Sequence, residues 1–206
     1  MENYKKNLEL LTKNHVYSKE MEHDACGVGL IASTEGKKSR AIVEYGIEAL
    51  KAVWHRGAVD ADGKTGDGAG IHVEIPKDFF IEKIQVTGHD YDNSEICVGM
   101  IFLPRNDYSA QESCKTIVES ELTKNNFSIY GWRQVPVNPK VLGEKALQTM
   151  PEIIQVLFKS NDPNLLDKNL ERKIYETRKR IENKAFDASL NNFYICSISS
   201  KSIIYK

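Results

Sequence analysis

The sequence predicts an α+β domain, a layered mixture of sheet and helix, and three observations predict it. Ile96 to Leu103 and residues 153–158 are apolar runs of strand length. Leu166, Leu170, Ile174 and Ile181 recur at helical spacing and mark one long amphipathic helix. After residue 25 the order of elements starts and ends in strands, with helices interspersed rather than strictly alternating, so periodicity leaves the topology open.

Residues 1–25 read as a leader; their one apolar group, Leu8-Glu9-Leu10-Leu11, is too short and too polar for a signal-peptide core. Residues 26–33 read as a strand. Ser39 can cap a helix carrying Val43, Ile47, Leu50 and Trp54 on one stripe, ending near Arg56-Gly57 and packing on a sheet. A glycine-rich loop leads into a strand over about 69–75, and Pro76 punctuates the junction with a short helix holding Phe79 and Phe80. A buried strand at 96–103, a helix within 107–124, a strand from Phe127 to Arg133 and a loop with two prolines follow. The chain then predicts a strand at 153–158, the long helix to about Phe186, and strands at 192–199 and 202–206. There is no internal repeat or low-complexity linker.

The chain has 206 residues, 41% hydrophobic and 28% charged, with a formal net charge of −1, enough to bury a core. Near-neutral charge gives no reason to expect nucleic-acid or anionic-membrane binding. No segment approaches the roughly eighteen consecutive apolar residues of a membrane span. The expected setting is cytoplasmic, with the cysteines at 26, 97, 114 and 196 reduced. None has Cys-x-x-Cys spacing, and His15, His72 and His89 carry no ligand spacing, so no metal site is expected. Lys173, Arg178, Lys179, Arg180 and Lys184 interleave with Glu171, Glu176 and Glu182, which reads as a solvated helix face.

Cys26 is the candidate of greatest chemical interest. It stands in Glu22-His23-Asp24-Ala25-Cys26-Gly27-Val28-Gly29-Leu30-Ile31-Ala32, where a thiol and two alternating glycines open an apolar strand after a polar leader. Cleavage between Ala25 and Cys26 would give one residue both a nucleophilic sulfur and a free α-amine of ordinary pKa about 7.7 to 8.0, suited to a general base near neutrality. The competing reading is a packed strand cysteine, as Cys97 and Cys196 are expected to be in the core and Cys114 on a helix. No downstream His and Asn or Asp arrangement accompanies Cys26, which argues against a cysteine peroxidase or protease. Gly66-x-Gly68-x-Gly70 lacks the strand-before, helix-after order of a dinucleotide fingerprint and reads as a structural turn. Arg56 can satisfy helix-terminal carbonyls, and His55 reads as a packing or helix-end residue.

Further runs carry a resemblance. They are Trp54-His55-Arg56-Gly57-Ala58, Asp62-Gly63-Lys64-Thr65-Gly66-Asp67-Gly68-Ala69-Gly70-Ile71, Ile75-Pro76-Lys77-Asp78-Phe79-Phe80, Gly131-Trp132-Arg133-Gln134-Val135-Pro136-Val137-Asn138-Pro139, Met150-Pro151-Glu152-Ile153-Ile154-Gln155 and Tyr194-Ile195-Cys196-Ser197-Ile198-Ser199-Ser200. In this order, over nearly the whole chain, they resemble the N-terminal glutaminase domains of glutamate synthase large subunits, class II glutamine amidotransferases of the N-terminal-nucleophile hydrolase superfamily. The resemblance implies a four-layer αββα sandwich, incomplete at the C-terminus, with residues 26–206 the N-terminal part of the amidotransferase domain. It implies Cys26 as the nucleophile, Arg56 near it, and Asp67 or Gly68 bordering a pocket for L-glutamine.

The family is several times longer than this chain. It supplies its oxyanion hole largely from an Asn-Gly pair, and no Asn-Gly dipeptide occurs here. The expectation is therefore a fragment, about the first half to two-thirds of a glutaminase domain, inactive alone. FMN and an iron–sulfur cluster are expected in the absent synthase region, none in this segment. The implied partners are that region and, in the bacterial type, a small pyridine-nucleotide-oxidising subunit. The alternative is a catalytically incomplete binding or interaction module that keeps the fold.

Overall fold

The computed structural model describes residues 2–14, 27–53, 59–66 and 68–206. In chain order the helices are α1 (Glu2–Lys13), α2 (Arg40–Ala52), α3 (Lys77–Val86), α4 (Tyr108–Lys124), α5 (Glu144–Thr149) and α6 (Asp167–Asp187). The strands are β1 (Ile71–Glu74), β2 (Cys97–Leu103), β3 (Phe127–Gln134), β4 (Glu152–Ser160), β5 (Tyr194–Ser199) and β6 (Ser202–Tyr205).

Four strands form an antiparallel sheet in the order β3-β4-β2-β5, and β1 pairs antiparallel with β6 in a second sheet. Side chains of a strand alternate between faces, and β2 uses both. Cys97, Ile101 and Leu103 enter a core with Cys114, Val118 and Leu122 of α4 and Leu170, Ile174 and Ile181 of α6. Val98 and Met100 enter a second core with Phe80 and Ile84 of α3 and Ile203 of β6. Helices α4 and α6 thus cover one face of the large sheet, while α3 and the two-stranded sheet cover the other. The helices and antiparallel sheets make the chain an α+β protein, as its periodicity predicts. Each fully buried large apolar side chain contributes about 1.5–3 kcal/mol relative to exposure, and Phe127 and Phe158 also meet edge to face at 5.3 Å.

Two local features shape the large sheet. The β3–β4 register shifts between Ile129 and Gly131. Gly131 has φ 150°, and a Cβ there would lie 2.8 Å from Thr87 Cγ2, so β3 and the end of α3 approach closely only because this position has no side chain.

The structure revises several boundaries. Residues 27–33 form no strand: Val28 is 93% and Leu30 89% exposed, without a partner strand among the described residues to satisfy their backbone. Ser39 caps α2 as expected, its hydroxyl accepting from the Ala41 amide. The helix stops at Ala52, where the Val53 amide turns back to the Lys51 carbonyl, so it ends before Arg56-Gly57 and Trp54 lies outside the described residues. The stripe of α2 is half-buried rather than buried, and its Gly46 meets Ile71 of β1. The two-proline loop contains a 3-10 turn at Pro139–Val141 and the short α5. The two terminal strands belong to different sheets. Ser200 and Lys201 turn the chain from one to the other, and the Ser197 hydroxyl accepts from the Ile204 amide across that corner.

Candidate functional site

Cys26, Ala25, Arg56 and Asp67 lie outside the described residues, as does His55. The structure does describe residues 59–66, which lie between Arg56 and Asp67 in the chain. Val59 and Gly66 form an antiparallel bridge that closes loop 59–66. The two flanks of that bridge run directly into the His55-Arg56-Gly57 and Asp67-Gly68 segments.

Inside the loop, Asp62 acts on its own backbone, as Asp does in turns. One carboxylate oxygen accepts from the Lys64 amide at 2.9 Å and the Thr65 amide at 2.7 Å, and the other accepts from the Thr65 hydroxyl at 2.5 Å. The Thr65 hydroxyl, then its amide, then that of Lys64 hold the Asp62 carboxyl well below the usual range. Asp60 is also lowered, chiefly by Lys145 at 2.5 Å and then by the Ala61 amide.

The loop is seated on the start of α5. The Ala146 amide points to the Thr65 hydroxyl at 3.4 Å. A Cβ on Gly143 would overlap the Asp62 carboxylate and the Thr65 hydroxyl and stand 2.7 Å from the Thr65 amide nitrogen. Sequence reading missed Asp62, Thr65, Gly143 and α5; the available signal was Asp62-Gly63-Lys64-Thr65, a turn sequence with an acceptor at its first position. Beyond the loop, Gly68 has φ 99° with open space around its Cβ position, and Gly70 lies beside the Tyr205 carbonyl.

The other three thiols are poor nucleophiles. Cys97, Cys114 and Cys196 are buried and free. Burial raises the Cys97 thiol far above its ordinary range, pushes that of Cys114 up to about 11 and raises that of Cys196. Each therefore stays protonated at neutral pH. They sit on β2, α4 and β5, and no group of three or more His, Cys, Asp or Glu among the described residues is placed to hold a metal ion.

Of the histidines, His72 Nε2 meets Ser202 Oγ at 2.6 Å and His89 Nδ1 meets Thr87 Oγ1 at 3.2 Å; His15 lies outside the described residues. The basic stretch of α6 is engaged: Arg178 pairs with Glu182 at 2.6 Å and donates to the Ile195 carbonyl, and Lys184 pairs with Glu121. No helix among the described residues is long and apolar enough to cross a membrane.

Comparison with known proteins connects this frame to a family. The large chain of the NADPH glutamate synthase of Azospirillum brasilense is 52% identical over 203 residues, 98% of this chain. The ferredoxin-dependent glutamate synthase of Pyropia yezoensis is 40% identical over 202 residues, 96% of this chain, and the chloroplastic ferredoxin-dependent enzyme of Spinacia oleracea 39% over 188 residues, 90% of it. The chain spans 13%, 13% and 11% of the lengths of these relatives. The family model described as "Glutamine amidotransferases class-II" matches residues 26–206, and the chain belongs to that family.

Proposed function

We propose that this chain is the nucleophile-bearing part of a glutaminase, within a longer protein that uses the released ammonia to convert 2-oxoglutarate to glutamate. The observation that carries this reading is the family match, which begins at Cys26, together with 52% identity to a glutamate synthase large chain. The inert chemistry of the three described thiols supports the choice of Cys26.

In this mechanism the chain is cut between Ala25 and Cys26. The new α-amine takes the thiol proton, and the thiolate attacks the side-chain carboxamide carbon of L-glutamine. The C–N bond breaks, the ammonium group returns its proton to the leaving ammonia, and a thioester remains. Water adds to the thioester with the amine as base, releasing glutamate and restoring the thiol. Arg56 can pair with a glutamine carboxylate, and Asp67 and Gly68 border the pocket. The fold is the four-layer αββα sandwich; the α4/α6 layer and the two facing sheets support this. FMN, an iron–sulfur cluster and contact with a small pyridine-nucleotide-oxidising subunit belong to the remainder of the longer protein.

The test uses that full-length protein. Cys26→Ala should abolish glutamine-dependent synthesis and leave ammonia-dependent synthesis largely intact, and sequencing of the active protein should begin at Cys26. Retained glutaminase activity in Cys26→Ala overturns the reading, and an active protein that begins at Met1 overturns the α-amine mechanism. Residues 1–206 expressed alone should show no useful turnover, since loss of one oxyanion donor already costs roughly 10² to 10³.

A further inference from the structure

We propose that the open edge of β3 at residues 127–129 is a docking site for an extended segment of another protein, which adds as a short strand and sets a lysine or arginine against Asp90. Three observations carry it.

The first is the direction of the backbone. Hydrogen bonding alternates along an antiparallel pair. The Asn161 amide donates to the Asn126 carbonyl at 3.0 Å, and the register continues as Phe127↔Ser160, Ser128↔Lys159 and Ile129↔Phe158. Asn126 and Ser128 therefore turn their backbone groups toward β4, while Phe127 and Ile129 turn theirs away from it. β3 is an edge of the four-stranded sheet, and the Phe127 and Ile129 amides find no hydrogen-bond partner among the described residues. Outward amides and carbonyls two residues apart are what a further strand completes. The register shift between Ile129 and Gly131 ends that stretch, so the site is short.

The second is the shape of the edge. A groove of about 460 Å³ runs along it, lined by residues 127–130. Thr123 near the end of α4 walls one side, and His89 with Asp90, between α3 and β2, walls the other. These walls stand on opposite faces of the sheet. Phe127 belongs to the core that includes α4, whereas His89 meets the ring of Tyr130, which belongs to the core that includes α3, at 6.1 Å. An incoming strand is thus bounded on both of its faces.

The third is charge. Lys159 also lines the groove, but its ammonium pairs with Asp92, which accepts from the Tyr130 hydroxyl at 3.1 Å as well. Asp90 is exposed and pairs with no cation among the described residues. The unpaired charge of the groove is therefore negative, and a basic side chain on the incoming strand complements it.

The test uses the full-length protein and a capped, fluorescently labelled hexapeptide of alternating valine and threonine with one central lysine, read by anisotropy. This peptide should bind, and the Phe127 and Ile129 amides should become protected from hydrogen exchange when it does. A version with proline at the two residues flanking the lysine lacks backbone donors there and should not bind. Glutamate in place of the lysine should weaken binding about twofold to fivefold, and Asp90→Lys, at an exposed position, should reverse that preference. Failure of the lysine peptide to bind, equal binding of the proline version, or a preference that Asp90→Lys leaves unchanged overturns the site. Phe127 and Ile129 amides already protected in the peptide-free protein overturn it too, because the edge is then filled by the longer chain itself or by a second copy.

Discussion

Along β2 the side chains of Cys97, Val98, Ile101 and Leu103 are fully buried between two cores, whereas along residues 27–31 Val28 and Leu30 stand almost entirely in solvent. Both stretches are apolar in sequence. What separates them is partnership: β2 has β4 on one side, β5 on the other, and covering elements on both faces. Residues 27–33 have no paired neighbour among the described residues. The large-sheet region is held by burial, while loop 59–66 is held by hydrogen bonds within a turn. Substitutions in the first region should therefore cost far more stability than those at exposed, unpaired positions.

The sharpest way to break this contrast is a matched pair. Phe158→Ala removes a fully buried ring that meets Phe127 edge to face and should destabilise the large sheet by about 3–5 kcal/mol. Leu30→Ala should change stability by no more than about 0.5 kcal/mol. Native-state hydrogen exchange of β2 and β4 amides in the full-length protein measures both. A comparable cost at Leu30 would show that residues 27–33 are packed in solution and would erase the distinction.

The same contrast explains what could be read from the sequence. A helix satisfies its backbone internally and advertises itself by period and cap, so Ser39 marks the start of α2. The run 96–103 was legible as β2 because a strand buried on both faces is apolar throughout. Residues 26–33 carry much the same apolar signal, yet a strand needs a neighbour that composition cannot supply. Helix α5 was hidden because it is short and lies between Pro139 and Pro151, with no full period to detect. The corner at Ser200-Lys201 was hidden for another reason. Two strands joined by two residues read locally as a hairpin, and their assignment to different sheets depends on Ser197 pairing with Met100 of β2 and Ile203 with Val73 of β1. Cys26, Arg56 and Asp67 lie outside the described residues, and the seat of loop 59–66 on Gly143 was not legible, since Gly143 is remote in sequence and acts by having no side chain.

A second, smaller test addresses the joint between the two sheets. Glu171 of α6 accepts from the Ser199 hydroxyl at 2.9 Å, the Ser200 amide at 2.7 Å and the Ser200 hydroxyl at 2.8 Å, so one carboxylate holds the turn that carries the chain into β6. Glu171→Ala should cost about 1–3 kcal/mol, because it leaves the buried Ser200 amide without its acceptor. The effect should appear as faster exchange in β6 and β1 while β2 and β4 stay protected. Uniform loss across all four strands would show that the two sheets open as one unit rather than as separately stabilised layers.

The smallest effect is expected where α4 meets α6, at the buried Glu121. Its carboxyl is lowered by the Lys184 ammonium and, less strongly, by the charges of Lys124 and Arg180. Lys184 is in turn raised by Glu121. A carboxyl lowered on folding contributes stability that is present above the unfolded Glu value of about 4.3 and lost as pH falls through the folded value. A lysine raised on folding contributes stability that is present below about 10.4 and lost as pH rises through its folded value. The pair should therefore contribute fully between those limits and fade at either end. Glu121→Gln should narrow the gap between neutral and acidic stability of the α4–α6 layer, and it should do so less than Phe158→Ala or Glu171→Ala because Lys184 is half in solvent and screened. The measurement is hydrogen exchange of α4 and α6 amides across pH, corrected for intrinsic rates, in wild type and variant. If the two stability profiles run parallel through the acidic range, the Glu121–Lys184 pair makes no net contribution and the helical layer rests on the packing of Val118, Leu122, Ile174 and Ile181 alone.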